Sequence, residues 1–298
     1  MAKSVLLTGA SGFIGRYVTE CLVENGCEVF VLQHHDKVKE RKGVRVIQAD
    51  ICSQCLPDIV LDGVRKCDYV IHLAADTNIT GNDKTLMTNC VGTYYMAKLA
   101  KELQAKCFLF LSSIPVIGEP KELPITENHS VSPKTLYHIT KYAGEMIVAN
   151  ECSREMNTLI YRISSPVGLG MNPGNYLSFL LKKCIANEEI ELYGQGMRIQ
   201  NYIDVRDIAR AVFCGIDSGR SGLYLIAGNE GISNRELAFL CGRITGASSE
   251  IIWGRRPDFE ESNRWIISNE KARYELGFSP EYTISDTVKW ICKKNKEM

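Results

Sequence analysis

No apolar run in the 298 residues approaches the length of a bilayer span, so no transmembrane helix is expected. The stretch ahead of Gly9 is too short an apolar segment for a secretory signal, and the expected location is the cytoplasm. Net charge is lacking as well: 35 basic residues face 35 acidic ones. A neutral chain has no global field with which to collect nucleic acid or an anionic membrane, and small-molecule partners are expected instead. No Ser/Gly linker, low-complexity tract or internal repeat divides the sequence. Paired metal ligands are missing too. The twelve cysteines, Cys21, Cys90, Cys214 and Cys241 among them, sit in apolar segments and read as small buried hydrophobes kept reduced. Cys52 and Cys55 form the one Cys-x-x-Cys, and Cys67 follows without a partner, so neither a zinc site nor a redox pair is expected.

What is present is an ordinary globular composition, 45% hydrophobic and 23% charged. Short apolar runs at 4–8, 28–32, 44–48, 68–74, 107–112 and 157–163 alternate with helical patterns at 15–25, 85–104 and 133–151. Continuous apolar strands separated by helices predict a parallel sheet covered on both faces. Right-handed crossovers then make it doubly wound, a Rossmann-type α/β fold. Beyond Pro166 the pattern loosens. Helices are predicted at 176–187, from 207, at 234–245 and at 285–294, with short strands at 202–205 and 223–227. The organisation predicted is a dinucleotide-binding part over 1–165, to which 200–220 return, and a smaller interleaved part over 166–298, mainly substrate-binding.

The first strand runs into Thr8-Gly9-Ala10-Ser11-Gly12-Phe13-Ile14-Gly15. Gly9 suits a tight turn, Gly12 a close approach to pyrophosphate, and Gly15 close packing of helix on strand. The helix that follows offers free N–H groups and positive partial charge to a phosphate. Strand before and helix after supply the context that a glycine triplet alone lacks.

This motif resembles that of the extended short-chain dehydrogenase/reductase superfamily, in particular its NAD(P)-dependent epimerase/dehydratase family. The resemblance continues in Asp50-Ile51, in Leu73-Ala74-Ala75, in Asn89 of an Asn-Cys-Val-Gly-Thr run, in Tyr137-x-x-x-Lys141, in Arg162 through Pro166-Val167-Gly168, and in 202–209. It implies a cofactor held by Gly9, Gly12, Phe13, Ile14, Gly15, Arg16, His34, Asp50, Ile51, Leu73, Ala74, Ala75, Asn89, Tyr137, Lys141 and Pro166. NAD or NADP is left open by the end of strand two. Gln33-His34-His35 stand there in place of a carboxylate that would bind both ribose hydroxyls. With Lys37, Lys39, Arg41 and Arg16 nearby, the setting leans towards NADP, although Asp36 could take the ribose role. No metal is implied.

Tyr137 and Lys141 lie four apart, on one face of the predicted helix. A neighbouring ammonium and a nicotinamide cation would both favour phenolate, so Tyr137 could exchange a proton with a hydroxyl or carbonyl near neutral pH. The resemblance implies that Lys141 also binds the nicotinamide ribose. It selects Ser113, five positions ahead of Gly118, as the hydroxyl that holds the substrate oxygen. Related 4,6-dehydratases carry Asp-Glu directly after that residue, whereas Ile114-Pro115 follow Ser113, which argues against elimination. Ser165, Arg198 and Arg256 are the expected substrate contacts, the last through forked donors suited to a diphosphate. The tail 269–278 also resembles the epimerase branch. The expected function is hydride transfer at a hydroxyl or keto carbon, by an epimerase of a nucleotide sugar. The alternatives are an NADP-dependent ketone or aldehyde reductase and a non-catalytic dinucleotide sensor. A homodimer through the Asn89 and Tyr137 helices is implied by the same resemblance.

Overall fold

The computed structural model describes residues 2–297, the side chains of 295–297 excepted. Met1 and Met298, the ends of the two expected parts, lie outside the described residues. The first half runs β1 (Ser4–Thr8), α1 (Phe13–Glu24), β2 (Glu28–Gln33), β3 (Val44–Gln48), α2 (Leu56–Gly63), β4 (Tyr69–His72) and α3 (Asp83–Leu86). A π-helical turn (Met87–Gly92) leads into α4 (Thr93–Glu102), then β5 (Cys107–Ser113), a 3-10 turn (Ile114–Ile117), α5 (Leu136–Cys152) and β6 (Asn157–Ile163). The second half holds β7 (Ser165–Val167), α6 (Tyr176–Ile185), β8 (Ile190–Leu192), β9 (Ile199–Asp204), α7 (Val205–Ser218) and β10 (Gly222–Ile226). It closes with β11 (Gly231–Ser233), α8 (Asn234–Thr245), β12 (Ile251–Trp253), α9 (Glu270–Leu276) and α10 (Ile284–Glu297).

Seven strands form one sheet in the order β10-β6-β5-β4-β1-β2-β3, and every pair in it is parallel. This is the doubly wound sheet the apolar runs predict. β1 is buried on both faces because Val5, Leu6 and Leu7 leave no polar side to show water. One face packs under α1, α7 and α9 through Val18, Leu22, Val212 and Leu276. The other packs under α2, α4 and α5 through Val60, Met96, Leu99 and Val148. The strand order reverses beside β1, between β2 and β4, and ligands of such sheets bind at the carboxyl ends there.

The chain does not stay in the second part once it leaves β6. It re-enters the large sheet at β10, paired with β6 from Gly222↔Leu159 to Ile226↔Ile163. β7, β9 and β11 make a separate three-stranded sheet, and β8 and β12 a two-stranded one, around a third core that includes Leu177, Leu181, Leu237 and Val288.

Three local differences from the predicted elements bear on the site. β4 ends at His72, so Leu73–Ala75 are free of the ladder. The expected helix over 85–104 exists but widens to a π-helical turn around Asn89, the kind of local irregularity common at functional sites. Helix α2, over a run not predicted as helical, starts at Leu56 with a proline in its first turn.

Candidate active site

The loop from β1 to α1 closes on itself: the Gly12 N–H donates to the Gly9 carbonyl at 3.0 Å. Gly9 has φ +74°, and a β-carbon there would stand 2.7 Å from the Ala74 nitrogen. A β-carbon at Gly15 would overlap the Gly9 carbonyl oxygen, so α1 lies as close to the turn as backbone allows. No side chain caps α1 and no acid occupies its first turn. Its N–H groups are therefore available to an anion.

A cleft of about 1120 Å³ opens there. Gly9, Gly12, Phe13, Ile14, Gly15, His34, Asp50, Ile51, Leu73, Ala74, Ala75 and Pro166 all line it, as expected of cofactor contacts. The uncapped helix terminus and the glycine cradle fit a dinucleotide pyrophosphate. Thr77, Ile79, Lys84, Met87, Thr88, Gly170 and 172–175 also line the cleft and were missed from sequence. Asn175, the side-chain cap of α6, was the one with a visible signal.

At the β2 end, Gln33 is committed to structure. Its amide donates to Gln48 Oε1 at 3.1 Å, and its oxygen accepts from the Val38 N–H. Gln48 in turn donates to the His34 carbonyl. Of the basic residues expected around a 2′-phosphate, His34 and His35 line the cleft, with rings 3.6 Å apart, and Asp36 lies on the same wall. Arg41 is drawn away to Glu20 at 2.6 Å. Arg16 is exposed beside Gly170, at the rim rather than in the lining.

Behind the cleft runs a chain of buried hydroxyls. The Ala74 N–H donates to Thr8 Oγ1 at 3.1 Å, and because burial keeps His72 neutral with its proton on Nε2, the Thr8 hydroxyl donates to His72 Nδ1 at 2.7 Å. Thr93 donates to the Asn89 carbonyl, which leaves its oxygen to accept from His72 Nε2 at 3.1 Å. His72 is thus held neutral, and burial lowers its pKa to about 3. Sequence reading passed over His72, whose signal was a polar residue ending an apolar strand.

Asn89, expected as a cofactor contact, does not line the cleft. Its Oδ1 accepts from the Asp76 N–H at 2.8 Å, and its Nδ2 donates to the Asp76 carbonyl and to Thr140 Oγ1, each at 2.9 Å. Thr140 then donates to the Tyr137 carbonyl at 2.8 Å. The amide joins the segment beside Ala75 to the first turn of α5.

The first two turns of α5 carry Tyr137 and Lys141, neither of which is in the cleft lining, and the helix is capped by Thr135, whose side chain accepts from the His138 N–H. α5 packs on β5, which ends at half-buried Ser113. Lys141 is buried, its ammonium 4.3 Å from the centre of the Phe110 ring. Burial lowers its pKa to about 8, with Glu145 and Cys90 opposing. Tyr137 is subject to an opposing influence. Its burial pushes the phenol up to about 12, so desolvation, not the neighbouring ammonium, sets its ionisation in the free protein. Among the described residues no hydrogen bond links Ser113, Tyr137 and Lys141. Such bonds are often long before a ligand tightens them.

The expected substrate contacts are dispersed. Ser165 pairs with Tyr202 in the small sheet and is half-buried outside the cleft lining. Arg198 is engaged by Glu260 at 2.8 Å and Asp258 at 3.6 Å, so its charge is largely answered within the chain. Arg256 is exposed and donates to the Tyr193 hydroxyl at 3.0 Å. The turn after Ser113 is apolar and closed: Ile114, Val116 and Ile117 are buried in a small cluster with Ile125 and Leu225. It presents no acid or base to a substrate.

The family model described as the NAD dependent epimerase/dehydratase family matches residues 5–227. A dTDP-glucose 4,6-dehydratase of Streptomyces niveus is 26% identical, over 96% of this chain and 92% of its own length. A putative UDP-glucose 4-epimerase of Methanocaldococcus jannaschii is also 26% identical, over 98% and 99%. Among solved structures, a UDP-glucose 4-epimerase of Thermotoga maritima with UDP-glucose superposes at a TM-score of 0.89, with 23% identity over 98% of both chains.

Proposed function

The chain belongs to the NAD-dependent epimerase/dehydratase family, and from that premise we propose that it is a sugar-nucleotide epimerase whose proton-handling group is Tyr137. The observation that carries this choice within the family is the turn after Ser113. An elimination needs an acid and a base beside the sugar, and here Ile114 and Val116 are fully buried among apolar side chains. A reaction that returns the hydride to the same carbon needs no such additional pair, only the one proton-handling group assigned to Tyr137.

A bound nicotinamide supplies a hydride acceptor and donor. Everything else in the reading is work for this chain's residues. The α1 N-terminus binds pyrophosphate, and Leu73–Ala75 with Pro166 flank the dinucleotide. Lys141 binds the nicotinamide ribose and supplies the positive charge that favours Tyr137 phenolate, an effect that must overcome the desolvation now holding that phenol near 12. Ser113 holds the substrate oxygen. Tyr137 takes its proton at the phenolic oxygen and returns it there. Residues 166–298 mainly bind the nucleotide sugar, with Arg256 offering its remaining donors to a diphosphate.

A second reading, an NADP-dependent reductase of a ketone or aldehyde, is favoured by Gln33. Its neutral, internally bonded amide stands where a carboxylate would repel a 2′-phosphate. Asp36 on the same wall favours NAD. For the assembly we propose a homodimer through the α3–α5 side. Met87 and Tyr94, seven apart, and Ile139 and Met146, seven apart on α5, are exposed apolar residues at helical spacing.

The test is to denature the purified protein, identify the small molecules released, and repeat with Tyr137→Phe. The reading expects a nicotinamide dinucleotide from both, and turnover of nucleotide sugar by the unaltered protein alone. Turnover retained by Tyr137→Phe would remove Tyr137 from the chemistry. A dinucleotide with neither turnover nor interconversion would make the protein a sensor.

A further inference from the structure

One buried charge in this fold is not used by the reaction as described so far. Glu145 follows Lys141 by four residues, one turn further along the same buried face of α5. Its carboxylate accepts from Arg162 Nε at 2.9 Å and Arg162 Nη2 at 2.7 Å, and also from the Ser112 hydroxyl. Glu145 and Arg162 are 1% and 3% exposed, so this ion pair lies in the interior. Ser112 and Arg162 are register partners on β5 and β6, and their side chains share the sheet face that α5 covers. The three groups thus fasten α5 across two strands, directly beside Ser113.

An ion pair is an expensive fastener in that place. Two charges lose their hydration, and a matched apolar pair would hold the helix at least as well. The pair is also incomplete, because Arg162 Nη1 has no partner although it is buried. A purely structural account leaves this cost unexplained. The position of the charge offers an explanation. The groups facing Lys141 are Glu145 and Tyr137 on its own helix, Cys90 from the π-helical turn, neutral His72 from β4 and the Phe110 ring from β5. Arg162 of β6 stands behind Glu145. Glu145 is the one carboxylate among them.

We infer that Glu145 is a positioning residue for the Ser113–Tyr137–Lys141 centre: held by Ser112 and Arg162, it fixes the seat of α5 on β5 and places one negative charge a turn from the Lys141 ammonium. The inference rests on the proposed role of Lys141. Desolvation draws the ammonium towards loss of its proton, and the carboxylate opposes this. The geometry of the seat is tight. A β-carbon at Gly144 would stand 2.6 Å from Phe110 Cζ, so α5 has no room to settle deeper if the fastener is lost.

The test follows the Lys141 side chain directly by NMR titration, its signal located by its absence from Lys141→Met. The unaltered protein should titrate near pH 8. Glu145→Gln should move that midpoint down by about one unit, since an opposite charge nearby shifts a pKa by roughly 1–3 units. At pH 8 the protonated fraction, and turnover with it, should then fall about five-fold. Glu145→Asp should recover part of the shift. If Glu145→Gln does not fold, Glu145→Gln combined with Arg162→Gln removes both buried charges; the midpoint should then move down by less than in the single variant, because the Arg162 positive charge leaves with the carboxylate, and an unmoved midpoint with an unchanged site again overturns the inference. A fastener without influence on the site would lower the melting temperature and leave the Lys141 midpoint unmoved, and that result overturns the inference. Lys141→Met with normal turnover would instead overturn the catalytic reading, while the Glu145 effect on the titration could still be observed.

Discussion

At the scale of single residues, the site depends on groups that have lost their water. His72 shows the consequence for stability. Its pKa in the folded chain is about 3, against an ordinary value of 6.5. The unfolded chain therefore takes up a proton from pH 6.5 downward that the folded chain refuses until near pH 3. The stabilising contribution is complete above that window and is lost as pH falls through it. Denaturant unfolding at pH 7, 5.5 and 4 should show this decline, and His72→Gln should flatten it. Gly15 shows a steric limit instead. Gly15→Ala forces a methyl into the Gly9 carbonyl and should cost on the order of 1–3 kcal/mol, with loss of dinucleotide retention. Asn89→Ala tests a different fault. It removes this partner from the part-buried Asp76 N–H and carbonyl and from the Thr140 hydroxyl, which keeps its bond to the Tyr137 carbonyl, at roughly 1–3 kcal/mol in all. Turnover should fall with the first turn of α5 unmoored, and thermal melts with activity assays check both effects.

At the scale of elements, period and punctuation in the sequence carry most of the large sheet. β1, β3 and β6 begin and end where their apolar runs do; β1 and β6 are buried along nearly their whole length and leave no alternation to misread, whereas β3 is an edge strand exposed at Arg45 and Gln48. The glycine loop is legible for a similar reason, since each glycine answers a backbone constraint. What is not legible is cooperation between distant segments. Asn89 reads as a cofactor contact by resemblance, which gives its place on a helix but not the π-helical widening around it or its bonds to Asp76 and Thr140. Arg198 reads as a substrate ligand because its partners Asp258 and Glu260 are some sixty residues away in sequence. Tyr137 reads as an activated phenol from its spacing to Lys141, whereas its burial is a property of the fold. The short strands β8, β11 and β12, three residues each, fall below the length at which a period can be seen.

At the scale of the whole molecule, the fold places a cleft at the carboxyl ends of one large sheet, and the proposed function assigns substrate specificity to the smaller sheets that follow it. No helix among the described residues is long and apolar enough to cross a membrane. The exposed apolar residues of the α3–α5 side give the assembly prediction. Ile139→Glu combined with Met146→Glu should convert a dimer to monomers in sedimentation without unfolding it, because both side chains are exposed in the single chain. The central claim concerns the fate of the hydride across the whole catalytic cycle, and one ratio decides it: nicotinamide consumed per nucleotide-sugar product formed, with absorbance and product followed in the same sample. An epimerase that returns the hydride to the carbon it left gives product with no net change in nicotinamide. Consumption of one nicotinamide for each product would contradict the account and make the protein a reductase.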